Sequence, residues 1–162
     1  MDGLPDVCAG LADENAAIQL GVLGLRGVTP RSGDVADVGK TCEMDAATAS
    51  GAPEAVITIN LARTSGGNPA DWIRALKGRF LSRHHCGPST PTAAALGVVA
   101  SWDLACVSTV DQTSAMVEAL RGNVLGSVLF NSVKTPGKAE EAACFRLLET
   151  VFDALQWRKV RS

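Results

Sequence analysis

The stretch Gly33-Asp-Val-Ala-Asp-Val-Gly-Lys-Thr41, GDVADVGKT, decides how the chain is to be folded. It ends as a phosphate-binding loop ends, in Gly39-Lys40-Thr41, but the pattern G-x-x-x-x-G-K-[ST] has four residues between its glycines and Asp34 to Val38 make five. A working loop joins the first strand directly to the next helix, so that backbone N–H groups converge on phosphate oxygens. With a first strand expected at Ile18 to Leu25 (IQLGVLGL), the loop would be Gly24 to Ser32, which lacks Gly-Lys-Ser/Thr. The segment Gly33 to Ala49 is therefore read as an alanine-rich helix capped by Ser32 or Asp34, with Lys40 as a surface helix residue. The alternative is a nucleotide-binding switch using Gly39, Lys40, Thr41 and Asp103.

Working outward, the chain has 162 residues, of which 46% are hydrophobic, enough for one compact domain over 1–162. Lysine plus arginine number 15 against 17 acids, and a net charge of -2 offers no general attraction to nucleic acid or anionic lipid. With no tyrosine and few aromatics, a base-stacking surface is not expected either. The N-terminal residues have no basic flank before an apolar run, and no window matches a membrane-spanning helix; an intracellular, soluble protein is expected. Five cysteines without a C-x-x-C pair are read as reduced thiols, mostly core filler.

Besides Ile18 to Leu25, strands are expected at Ala55 to Leu61 (AVITINL), Leu96 to Val107 and Val124 to Phe130. Helices are expected from Asn68 (NPADWIRALKGRFLS, with Trp72, Ile73, Leu76 and Phe80 on one stripe) and from Asp111 (DQTSAMVEALRG). A closing helix follows Pro136-Gly137, with Cys144, Leu147, Leu148, Val151, Phe152 and Leu155 at helical spacing. Alternating strands and helices imply a mainly parallel sheet with helices on both faces, a three-layer α/β fold of P-loop NTPase type. Its first half is short, because only 13 residues separate Thr41 from Ala55, too few for two more strands and the loops that GTP hydrolysis needs.

From Ala55 onward the order resembles the second half of a small GTPase. AVITINL and the helix from Asn68 stand for its central strand and third helix. GVVASWD places Asp103 on the aspartate of the guanine-reading N-K-x-D, but Ala100 and Ser101 replace its asparagine and lysine. Ser132-Val133-Lys134 is similar to the S-A-K element, and CFRLLETVFDALQ to the closing helix. In length and spacing the chain resembles the centromere protein M family, small pseudo-GTPases of the inner kinetochore; dynein light intermediate chains and Rab-like proteins are a weaker match. The resemblance implies a non-catalytic, cofactor-free nuclear scaffold at the centromere, bound to centromere proteins H, I and K.

Other candidates are weaker on chemical grounds. His84-His85-Cys86 offers metal-ligating atoms, but consecutive side chains diverge and no partner pair stands at finger spacing, so no metal is expected. Trp102, at a strand tip, is the candidate anchor for a protein partner, whereas Trp72 is read as packing on the sheet. A small α/β enzyme with a thiol at Cys86 or Cys106 is the remaining catalytic reading, and Asp103 is a separate candidate general base without a supporting arrangement.

Overall fold

The structure, a computed structural model, describes residues 4, 6–35, 39–47, 53–63, 85–87, 104–111, 113–121 and 124–161. A 3-10 turn, Cys8–Leu11, leads into helix α1, Glu14–Val22. Seven strands follow: β1 Arg31–Val35, β2 Gly39–Ala47, β3 Pro53–Arg63, β4 His85–Gly87, β5 Leu104–Asp111, β6 Ser114–Arg121 and β7 Val124–Ser132. Helix α2, Lys138–Arg161, closes the described part. The strands make one sheet in the order β1-β2-β3-β7-β6-β5-β4, and every neighbouring pair is antiparallel.

This overturns the expected parallel, three-layer P-loop architecture. Two hairpin-linked meanders, β1-β2-β3 and β5-β6-β7, meet along β3 and β7. Their pairing runs from Ala55 opposite Ser132 to Arg63 opposite Val124. The two apolar strands read correctly from the sequence are thus direct antiparallel neighbours.

Several elements change type, each for a local reason. Ile18 to Leu25 is not a strand. Asp13 caps α1 by accepting the Ala16 N–H at 2.7 Å, and Ala16, Leu20 and Leu23 are buried at helical spacing. The helix ends in a Schellman turn: Gly24 has φ 74°, Gly24 N–H donates to Gly21 O at 3.2 Å and Leu25 N–H to Leu20 O at 2.8 Å. Leu20 and Leu25 are both buried there, which is the apolar contact that accompanies the turn.

The segment Ser114 to Arg121 is strand β6 rather than a helix capped by Asp111. Its Ala115, Val117 and Ala119 are buried in alternation, and cross-strand packing outweighs the helix preference of Ala, Met, Glu and Leu. The helix from Asn68 lies outside the described residues, as does the start of the expected strand from Leu96, of which Leu104 to Val107 is seen in β5.

Helix α2 matches its sequence pattern. Glu140 Oε2 accepts the Gly137 N–H at 3.0 Å, half of a capping box at the positive helix end. Cys144, Phe145, Leu147, Leu148, Val151 and Phe152 are all buried. They pack against α1, β6 and β7, so that both helices lie on one face of the sheet with the core between. On that face stand Cys42 and Met44 of β2, Ile57, Ile59 and Leu61 of β3, Val117 of β6, and Val128 and Phe130 of β7.

Candidate functional site

The stretch that resembles a phosphate loop is a β-hairpin. Asp34 lies opposite Lys40, Gly33 opposite Thr41 and Ser32 opposite Cys42, so neither the weaker helix over Gly33 to Ala49 nor its caps at Ser32 or Asp34 form. The described part of the stretch belongs to a sheet ladder, and strand β2 runs on through Ala47 where a phosphate loop would lead into a helix. The Lys40 ammonium is bound by the Asp34 carboxylate. A Cβ on Gly33 would come within 3.1 Å of Thr41 Cγ2, so glycine there serves the close approach of two strands. Thr41 Oγ1 is buried with no hydrogen-bond partner among the described residues, whereas in a phosphate loop that hydroxyl would hold magnesium.

Two outcomes follow for this hairpin. Lys40→Ala should change stability by no more than about 0.5 kcal/mol, because the Lys40–Asp34 pair is solvent-exposed and screened. Thr41→Val removes an unsatisfied hydroxyl from a strand and should leave stability unchanged or raise it by up to about 1 kcal/mol. Thermal melting in the presence and absence of GTP and magnesium checks both. A nucleotide-dependent rise in Tm that Lys40→Ala abolishes would restore the phosphate loop.

The hairpin is clamped to the N-terminal segment. Cys8 and Cys42 form a disulfide across a sequence separation of 34. Asp6 Oδ1 accepts hydrogen bonds from Cys8 N–H at 2.9 Å and Ser32 Oγ at 2.7 Å. The Ser32 bond, ahead of the Cys8 and Ala9 amides and the Lys40 charge, holds the Asp6 carboxyl below its ordinary value against some desolvation. A lowered carboxyl pKa stabilises the fold above the unfolded value and loses that contribution as pH falls through the folded one. The reading of the cysteines as reduced thiols is corrected for Cys8 and Cys42; Cys144 is a buried free thiol, as expected of core filler. Desolvation, followed by the nearby Glu141 and Glu140 charges, pushes its thiol up to about 12.

The opposite face of the sheet carries the candidate site. Between the buried positions of β3 stand Val56, Thr58, Asn60 and Ala62, and between those of β7 stand Leu125, Ser127, Leu129 and Asn131, all half-buried. These eight positions hold no charged side chain. Register aligns them into rows across the sheet. Glu43, Thr58, Leu129 and Met116 form one; Thr41, Asn60, Ser127 and Glu118 form the next.

Charge flanks these eight positions, with Glu43 and Asp45 on β2, Glu118 on β6 and Glu54 at the start of β3. Arg31 of β1 reaches Asp45 Oδ2 at 2.6 Å and Glu43 Oε2 at 3.6 Å. Ser114 donates its hydroxyl to Asn131 Oδ1. The centre of this surface is apolar and amide- or hydroxyl-bearing, its β1–β2 margin acidic with one guanidinium. Such a distribution, uncharged within and charged at the rim, is that of a protein-binding patch.

Of the residues singled out from the sequence, Gly39, Lys40 and Thr41 lie on β2, with Thr41 at the margin of this face. Trp102 and Asp103 lie outside the described residues, as do Trp72 and His84. His85 and Cys86 belong to β4, and Cys106 to β5. The hairpin separates Gly39, Lys40 and Thr41 from any phosphate-loop geometry. Among the described residues no group of three metal-ligating side chains occurs, and no helix is long and apolar enough to cross a membrane.

In Ala-Val-Ile-Thr-Ile-Asn-Leu, Thr58 and Asn60 fall between buried positions, a signal in the sequence that the expectation of a doubly covered strand passes over. The antiparallel register leaves the Thr58 and Asn60 side of AVITINL half-buried instead of covering both faces. No protein-family model, curated protein or solved structure matches the chain.

Proposed function

We propose that the chain is a non-catalytic binding module that seats a protein partner on the sheet face opposite its helices. The observation that carries this reading is the absence of charge at eight of the nine outward positions of β3 and β7, the exception being the exposed Glu54 at the start of β3. Val56, Ala62, Leu125 and Leu129 of this face are apolar, where a face that meets only water repeats polar residues at every outward position. The partner is a protein whose docking patch is apolar and amide-bearing at its centre and basic at its edge. Glu43, Asp45, Glu54 and Glu118 against Arg31 leave the described part of this face with an excess of three carboxylates.

The scaffold role inferred from the sequence keeps its coarse form, but its surface moves from the strand tip at Trp102 to the sheet face. The inner-kinetochore assembly with centromere proteins H, I and K stood on the strand order of a GTPase, and the antiparallel order withdraws that support. A disulfide between Cys8 and Cys42 favours an oxidising compartment over the nucleus.

Leu129→Arg tests the reading, because it places a charge at the centre of the patch on an outward position of β7. Proteins recovered from native extract on the tagged full chain are identified and one is purified for titration. The variant should bind it at least about thirtyfold more weakly, a loss of about 2 kcal/mol, with Tm within a few degrees of the parent. Undiminished binding by the variant would overturn the proposal. So would collapse of Leu129→Arg together with the milder Thr58→Lys, since the face would then belong to the interior.

A further inference from the structure

Cys86 of β4 and Cys106 of β5 occupy directly opposed register positions, between the pairs His85–Val107 and Gly87–Ala105. Directly opposed residues of an antiparallel pair have Cα atoms about 4.5–5.5 Å apart, within the range of about 4.4–6.8 Å that a disulfide spans. The chain already carries one disulfide, Cys8–Cys42, and conditions that maintain it would also oxidise a second pair of opposed thiols. Cys144, the fifth cysteine, is fully buried in the α2 core, beyond the reach of either strand's thiol exchange. An odd set of five thus resolves into a bonded pair, an opposed pair and one enclosed thiol.

We propose that Cys86 and Cys106 form a second disulfide, which staples the edge strand β4 to the sheet. The strand needs such a staple. It is three residues long and, among the described residues, pairs on one side only, at the end of the strand order, and so short a ladder contributes few hydrogen bonds of its own. A fixed edge also resists the addition of foreign strands.

The oxidant is a small-molecule disulfide such as glutathione disulfide. One cysteine thiolate attacks it and releases one glutathione thiolate. The second cysteine thiolate then displaces the other from the mixed disulfide. The Cys86–Cys106 S–S bond forms as the glutathione S–S bond breaks, and the two protons leave on two glutathione thiols.

The experiment is a thiol count and a disulfide map on the full chain, folded in a glutathione redox buffer and then unfolded in guanidinium with iodoacetamide and no reductant. One alkylated cysteine is expected, Cys144. Trypsin releases Cys86 and Cys106 on the same peptide, because no lysine or arginine lies between His84 and Arg121. That peptide should be about 2 mass units lighter than its reduced form. Cleavage before Asp103 should leave its two parts joined until reductant is added. Cys106→Ala, prepared in the same way, should show two alkylated cysteines, Cys86 and Cys144. Three alkylated cysteines in the parent protein would overturn the proposal. So would Cys86 or Cys106 bonded to another cysteine or to a second chain, or an unchanged count in Cys106→Ala.

Discussion

Phe152→Ala should lower stability by about 3–5 kcal/mol, a large share of the roughly 5–15 kcal/mol that holds a domain together. Phe152 is 2% exposed on the face of α2 that meets β7. The strand accommodates the ring through a glycine: a Cβ on Gly126 would stand 2.5 Å from Phe152 Cε2 and 2.6 Å from Leu148 Cδ1. No smaller side chain restores those contacts, so truncation leaves a cavity beside the sheet.

The same geometry predicts a coupling. Gly126→Ala alone should cost about 1–3 kcal/mol by overpacking. In the Phe152→Ala background part of that cost should disappear, giving a coupling of about 0.5–3 kcal/mol, limited by the remaining clash with Leu148. Urea titrations of the four proteins measure it. Additive losses would mean that Gly126 and Phe152 do not meet.

Loss of the Cys8–Cys42 cross-link should be comparable. The bond closes a loop with a sequence separation of 34, and confining such a loop in the unfolded chain is worth about 4 kcal/mol on the chain-entropy scale. Cys8→Ala leaves Cys42 as a small buried thiol within the core, so the change isolates the cross-link from packing. The urea midpoint should fall by about 2 M at a slope of about 2 kcal/mol/M. Equal midpoints for the oxidised parent and Cys8→Ala would show that the bond contributes nothing.

The structural consequence of that loss is local. The N-terminal segment would keep only non-covalent ties to the β1–β2 hairpin, the Asp6–Ser32 hydrogen bond and the packing of Val7 and Leu11 in the core that holds Cys42 and Met44. The Asp6–Ser32 bond weakens further at low pH, as Asp6 takes up its proton.

Sequence alone determined the elements whose pattern and packing agree. The closing helix was legible because Cys144, Leu147, Leu148, Val151 and Phe152 recur at helical spacing, and all five are buried. Strands β3 and β7 were legible because β-branched and apolar residues crowd AVITINL and VLGSVLF. What the sequence could not decide was direction and partnership. An apolar run is consistent with a parallel strand buried on both faces or an antiparallel one buried on one face, and only the register of Ala55 to Arg63 against Val124 to Ser132 distinguishes them.

Tertiary contact likewise turned Ser114 to Arg121 into a strand against its helix-forming composition, since packing between β5 and β7 outweighs small intrinsic preferences. It made GDVADVGKT a hairpin, because Lys40, Thr41 and Cys42 pair with both β1 and β3. The Cys8–Cys42 bond had no signature in spacing: two cysteines far apart in the chain become partners only once the fold brings their backbones together.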